Sequence, residues 1–423
     1  MVPSVRINHP SMKTLLQINP VMRISTSTGR IMQEIGELAM RHGWRSCIAY
    51  AKGRDGGNPS CLSQLIPVGN AWSTCWHGIQ TRMLDRHGLA STGATKQFIR
   101  QIEQIRPDVV HIHNIHGYFL NYRVLFDYLS RSGIPVVWTV HDCWLYTGHC
   151  YYYSYAACDR WQTESHDCPQ RREFPTSLLA DRSRKNFRDK RAAFTSMPRN
   201  RLTVVPVSEW IGAEMQRSFL AGYDFRMIHN GIDTEVFRMR ETREVRERYG
   251  LGEKHILLGV ASIWSREKGL DDFLHMARML NDDELIVLVG IKPAEKRRLP
   301  RNIVGIPRTE HIRQLAELYS TADVFINPTW QDNYPTVNME AIACGTPVVT
   351  YRTGGSVEVV TEDTGRIVEQ GDCRGLLEAA RNMRQQRREL VRTRCRAYAL
   401  KHFNKEDRYA EYLDLYDELM MRG

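Results

Sequence analysis

The chain has 423 residues, with 58 Lys and Arg against 48 Asp and Glu, 42% hydrophobic and 25% charged residues, and a net charge of +10. That length suits two domains of roughly 200 residues, and the composition excludes a disordered or fibrous chain. No apolar run reaches the roughly 20 residues that span a bilayer, and ten cysteines over this length read as reduced thiols of a cytoplasmic protein, not as a disulfide scaffold.

The first eleven residues read as a loose leader before Met12, without an apolar signal core. From there strand and helix alternate, which predicts parallel α/β sheets. TLLQINP is a strand, RIMQEIGELAMRHG a helix with Ile31, Ile35 and Leu38 on one face, and SCIAY (46–50) the next strand. FIRQIEQI is a helix stopped by Pro107, DVVHIH a strand, YRVLFDYLSRSG a helix closed by Gly133, and PVVWTV a strand. LTVVPV, EWIGAEMQRSF and DFRMI continue the series. The polar stretch 232–250 predicts an interdomain linker. After it HILLGVASI, GLDDFLHMARML, LIVLVG, IRQLAELYSTA, VFINP, TVNMEAIACG and PVVTY repeat the alternation, and NKEDRYAEYLDLYDELMM is a terminal amphipathic helix. The division is then 1–237, with a Cys- and aromatic-rich insertion at 143–170, 238–400, and a helix at 401–423 that packs back on the first domain.

Basic clusters at 182–191, 292–298 and 384–396 read as solvated helix faces; together they also suit peripheral attraction to an anionic membrane. No recognition helix for nucleic acid stands out.

The segment PTWQDNYPTVNMEAIACGTP (328–347) follows a strand and opens a helix near Thr336. Ligands of parallel sheets sit at the carboxyl ends of strands, and a helix N-terminus offers free N–H groups to a phosphate. Spacing alone also describes an ordinary capped helix with Glu340 on a surface face. DNYPTVNMEAIACGTPVV, however, resembles the E-x7-E segment of glycosyltransferase family 4, retaining enzymes of the GT-B fold with two Rossmann-like domains facing across a cleft. The DNYP form is similar to a subgroup of colanic-acid and exopolysaccharide glycosyltransferases. The first acid, usually Glu, is Asp332 here.

The resemblance implies a donor site. Asp332 holds sugar hydroxyls, Glu340 the ribose, and Asn333, Tyr334, Pro335, Thr336 and Val337 line the donor. Lys268, in GVASIWSREKGLDDFL (259–274), matches the lysine on the donor diphosphate, where charge grows as the bond to the sugar breaks. The family's arginine five residues earlier is Ile263 here, and Arg266 is the candidate substitute. Gly29, in STGRI (27–31), matches a small residue that admits the donor phosphate or acceptor. HIHNIHG (111–117) and TVHDCW (139–144) both end strands; the resemblance puts His141 near the transferred sugar, with His113, His116 and Asp142 on the acceptor side. HNGIDTEVF (229–237) reads as a turn shaping the hinge.

In the insertion, Cys150, Cys158, His166 and Cys168 match a Cys3His structural zinc site, and the alternative is an acceptor loop with buried thiols. The subgroup resembled has a further Cys where Ser165 stands. Tyr151, Tyr152, Tyr153 and Trp161 suit either sugar stacking or a local core. The implied reaction is retaining hexosyl transfer from a UDP- or GDP-linked sugar to a lipid-linked glycan, at the inner face of the cell membrane. It follows a front-face route in which the leaving phosphate takes the acceptor proton, with no cofactor required. Competing readings are a GT-B epimerase or phosphorylase, and a zinc-containing scaffold with a vestigial nucleotide-sugar site.

Overall fold

Each short β-branched run between helical stretches becomes a strand of a parallel sheet. The computed structural model describes residues 12–52 and 60–422; the expected leader lies outside the described residues. The first sheet comprises β1 (Thr14–Ile18), β2 (Arg45–Ala51), β3 (Gln64–Val68), β4 (Val109–Ile112), β5 (Val136–Val140), β6 (Leu202–Pro206) and β7 (Asp224–Phe225), in the order β3-β2-β1-β4-β5-β6-β7. The second comprises β8 (His255–Val260), β9 (Glu284–Val289), β10 (Ile303–Ile306), β11 (Val324–Asn327), β12 (Val348–Tyr351) and β13 (Gly365–Val368), in the order β10-β9-β8-β11-β12-β13. In both, the order reverses beside the first strand, the arrangement that opens a crevice for ligands at the strands' carboxyl ends.

Central strands such as TLLQI and VVWTV are buried along their whole length because helices cover both faces. One face of the first sheet is closed by the chain's last helix, Lys405–Met421, whose Tyr409, Tyr412 and Tyr416 join a core with Leu15, Val109 and Val137. Thr139 Oγ1 and Tyr412 Oη lie 2.9 Å apart, and His111 Nδ1 is 2.6 Å from Tyr416 Oη. The chain thus crosses between the sheets twice, and the crossings are bonded to each other. Ile232 N donates to Phe403 O at 2.8 Å and Lys405 N to Ile232 O at 3.0 Å. A Cβ on Gly231 would stand 2.5 Å from Lys405 Cα, so the N-G turn of the hinge segment is required by this close approach.

Elements that the sequence pattern hides are edge strands and helices with unusual faces. β3 carries Pro67 and an exposed Gln64, as an edge strand tolerates. The basic run 182–191 lies mostly in the helix Ser183–Phe194, and this helix is not simply solvated. Lys190 is 1% exposed, donates to the Trp144 and Thr147 carbonyls at 2.5 and 2.9 Å, and lies 3.6 Å from the Trp144 ring centroid. Its ammonium is lowered to about 7 by burial. This lysine pins the start of the 143–170 insertion, which otherwise holds only two short 3-10 turns. Trp161 packs on Tyr146 (4.9 Å) and Tyr153 (5.0 Å), so these aromatics are the local core.

Candidate active site

The loop after β8 and the loop after β11 are bound to each other, and that brings Lys268 to Asp332. Trp330 N donates to Glu267 O at 2.8 Å. Gly269 has φ +76°, and a Cβ there would stand 2.4 Å from Pro328 O. The outcome is a 2.7 Å contact between Lys268 Nζ and Asp332 Oδ2, with the lysine side chain 42% exposed and the aspartate 16%. Asp332 Oδ1 accepts from Asn333 N at 2.9 Å. The glycine pair after β12 makes room for this loop: a Cβ on Gly354 would meet Asp332 O at 2.1 Å, and one on Gly355 would meet Asn333 O at 1.8 Å.

Pro335 precedes the helix Thr336–Ala343 and accepts no side-chain cap, so the first N–H groups of that helix have no side-chain acceptor at its N-cap. Glu340, one turn in, is 3% exposed. The surface-face reading of Glu340 is corrected by its partners: Arg30 Nη2 lies 2.5 Å from Oε1, and Tyr319 Oη donates to Oε2 at 3.1 Å. Arg30 comes from the helix Ser27–Arg41 of the first domain, so this ion pair crosses the cleft. Burial pulls its guanidinium down, but Glu340 and Glu34 raise it above the usual value.

Two further expected donor residues tie the domains together. Asn333 is 2% exposed; its Nδ2 donates to Val140 O at 3.0 Å and its Oδ1 accepts from Ser208 Oγ at 2.5 Å. Tyr334 stacks on His229 with centroids 4.9 Å apart. Val337 packs against the second domain's core. Arg266 is 78% exposed and pairs with Asp271 at 3.8 Å. The space beside Gly29 is taken by the chain itself, since a Cβ there would meet Arg23 O at 2.5 Å. This glycine therefore admits its own preceding loop.

The strand-end histidines do converge. His141 Nε2 is 3.2 Å from His113 Nδ1, and His113 Nε2 is 3.0 Å from Gln17 Oε1. Burial lowers His141 to about 4, so it is neutral at physiological pH. His116 Nε2 lies 2.7 Å from Asp142 Oδ2, whose other oxygen accepts from Trp144 N at 2.9 Å. Burial opposes the Asp142 charge, but His116 and this N–H hold its carboxyl below the ordinary range. The insertion overhangs them: Tyr152 Oη donates to His141 O at 3.3 Å, and Tyr155 reaches across to Trp330 (5.9 Å).

The Cys3His set does not assemble. The Cys150 and Cys168 thiols are hydrogen-bonded to each other, but His166 is 38% exposed and paired with Asp167 at 2.9 Å. Ser165 Oγ, where a further Cys stands in the resembled subgroup, accepts from Gly148 N at 2.9 Å. Among the described residues no group of three His, Cys, Asp or Glu is placed to hold a metal ion.

Arg30, Tyr319 and Ser208 belong to this cleft although the sequence reading passed over them. Arg30 adjoins Gly29 in the chain, but nothing local indicates that its guanidinium reaches the other domain.

Residues 74–236 match the family model described as Glycosyltransferase Family 4, and residues 254–386 the model described as Glycosyl transferases group 1. The chain is 25% identical over 283 residues to the protein named as the colanic acid biosynthesis glycosyl transferase WcaC of Escherichia coli (strain K12), covering 65% of this chain and 67% of that one. It is 25% identical to the N-acetyl-alpha-D-glucosaminyl L-malate synthase of Bacillus anthracis over 47% of this chain and 54% of that protein's length. Its fold matches the sucrose-phosphate synthase of Thermosynechococcus elongatus with a TM-score of 0.72 at 17% identity, covering 97% and 100% of the two chains. It matches Anabaena Alr3699/HepE in complex with UDP and glucose with a TM-score of 0.67 at 14% identity, covering 96% and 100%. The chain belongs to the family 4 glycosyltransferases, built on the GT-B fold and related to enzymes of exopolysaccharide synthesis.

Proposed function

We propose that the chain transfers a hexose from a nucleoside-diphosphate sugar to a hydroxyl of a lipid-linked glycan, with retention at the anomeric carbon, in the synthesis of an exopolysaccharide, capsule or O-antigen-type polymer. The observation that carries this reading is the Lys268–Asp332 contact of 2.7 Å beside the start of the helix Thr336–Ala343. It puts a half-exposed cation and a carboxylate beside a helix start that no side chain caps. A departing diphosphate needs the cation and the N–H groups as its charge grows. Sugar hydroxyls are donors and need the carboxylate.

The ribose hydroxyls add to the lone pairs of Glu340 that Arg30 and Tyr319 leave free. His141, uncharged and steadied by His113, offers the sugar a neutral ring nitrogen. The His116–Asp142 pair faces the acceptor, and the leaving phosphate oxygen takes the acceptor proton as the new bond forms on the same face. The Anabaena structure that holds UDP and glucose supports a uridine donor, with a GDP-linked sugar as the other candidate.

A melting screen against UDP-, GDP- and ADP-sugars tests the donor assignment. A ligand at 100 times its Kd stabilises the native chain by about 2.7 kcal/mol, so one nucleotide class is expected to raise Tm clearly. No shift with any of them overturns the reading. Nuclear magnetic resonance of the product reports the anomeric configuration, and an inverted product removes retention.

A further inference from the structure

The helix Ala71–Leu84 is built inside out. Its buried residues are His77, Gly78 and Thr81, while Trp72 is 85% exposed, Trp76 56%, Ile79 47% and Met83 41%. The polar side faces inward because it has partners there: His77 Nδ1 lies 2.9 Å from Ser91 Oγ, and its Nε2 accepts from Gly88 N at 2.9 Å. The four apolar residues fall on one stripe, since positions three and four apart on a helix are neighbours. A soluble helix ordinarily buries that stripe, and a contiguous apolar patch left in water marks a docking surface.

The stripe continues past the helix end. Leu178 N donates to Arg82 O at 2.7 Å, which sets the exposed Leu178 and Leu179 beside Met83 and Leu84. Cations border it. Arg82 and Arg172 are exposed, and Arg171 is held to Leu179 O at 3.3 Å. Lys52 is exposed at the end of β2, whose Ala51 pairs with Val68 just before the helix. The helix itself contains no acidic residue. Of the acids in the flanking loop, Glu173 acts on Glu267 and Tyr151 in the cleft, and Asp181 is taken up by Cys168 N, Ser183 N and Ser183 Oγ.

Tryptophan stripes edged by arginine and lysine fit the headgroup region of an anionic bilayer, where an indole ring has both an apolar and a wet side. A second copy fits poorly, because a two-fold contact would set this cationic border against itself. The location agrees. Phe174, between Arg172 and Leu178, packs against His116 (6.2 Å) and Tyr151 (5.6 Å) at the acceptor side of the cleft.

We propose that this surface seats the chain on an anionic membrane, with Trp72, Trp76, Ile79 and Met83 at headgroup level and Lys52, Arg82, Arg171 and Arg172 against lipid phosphates. The acceptor side of the cleft then opens beside the bilayer. This surface differs from the three basic runs that charge alone picks out, and vesicle binding is read without donor or acceptor, so its failure is separate from failure of the transfer reaction.

The test is co-sedimentation of the full chain with phosphatidylcholine vesicles, with and without phosphatidylglycerol, alongside tryptophan emission and light scattering. The chain is expected to bind the phosphatidylglycerol vesicles, with blue-shifted emission and weaker binding in high salt. Trp72→Ser with Trp76→Ser is expected to lower partitioning by about tenfold or more, and Lys52→Glu with Arg172→Glu by a comparable factor, with Tm unchanged in both. The proposal is overturned if the unaltered chain stays in the supernatant, or if the tryptophan variant binds as well as the parent. It is also overturned if the parent is a dimer that the tryptophan variant dissociates.

Discussion

Removing the guanidinium of Arg30 isolates a buried carboxylate. In the parent chain Arg30 and Glu340 meet at 2.5 Å with side chains only 16% and 4% exposed. Two unit charges about 4 Å apart attract by about 4 kcal/mol at an effective dielectric of about 20, and desolvation of both groups offsets much of that. Deleting one partner of such a pair typically costs about 3–5 kcal/mol, because the other charge stays buried. Glu340 keeps the Tyr319 hydroxyl at 3.1 Å, which places Arg30→Gln at the lower end, about 3 kcal/mol. For a domain of this size that is a fall in Tm of roughly 6–12 °C. The informative assay is a double-mutant cycle by calorimetry: Arg30→Gln, Glu340→Gln and the pair. The double variant is expected to be more stable than the sum of single effects implies, by about 2 kcal/mol. Additivity within about 0.5 kcal/mol refutes a direct coupling across the cleft.

Lys268→Ala and Glu340→Ala are each expected to nearly abolish transfer, whereas Arg266→Ala changes kcat/KM by less than about twofold because Arg266 is exposed and faces Asp271; steady-state kinetics with circular dichroism separates the three. Transfer is expected to persist in EDTA, since Lys268 supplies the charge for the leaving diphosphate; loss of turnover restored by a divalent cation would contradict this. Gly231→Val forces a side chain onto Lys405 Cα, which a Cβ would approach to 2.5 Å, and should lower Tm as the paired crossings separate. Burial holds His77 at about 3 and His141 at about 4, below the usual 6.5. The unfolded chain therefore binds these protons first, so stability is present above pH 6.5 and is lost as pH falls toward 4. Because His141, His87, His111 and His113 are lowered by burial as well, His77→Gln is expected to lessen the fall of Tm between pH 6.5 and 4.5 without abolishing it, and an unchanged slope would disprove the linkage at His77.

The strands whose residues are buried along their length, such as TLLQI, VVWTV and VVTY, were readable because a parallel sheet covered on both faces demands largely apolar runs. Helices with one apolar face, such as Ser27–Arg41, were readable for the matching reason. The helix Ala71–Leu84 was not, since it buries His77 and Thr81 and leaves Trp72 in water.

At the site, the Asp332–Glu340 segment and Lys268 were recognisable by their local pattern, and Lys268 and Asp332 do meet. Their surroundings follow a different logic. Arg30 reaches Glu340 across 310 residues, and Asn333 bonds Val140 and Ser208 in the other domain. Periodicity and turn chemistry act within a few residues, so the sequence by itself determined two parallel sheets and the segments at the strand ends. Which of those segments face each other depends on how two sheets dock and how the chain's last helix returns to the first. Only tertiary packing decided that Glu340 is an interdomain ion pair, that Arg266 is surface, and that His166 pairs with Asp167 instead of joining the hydrogen-bonded Cys150 and Cys168.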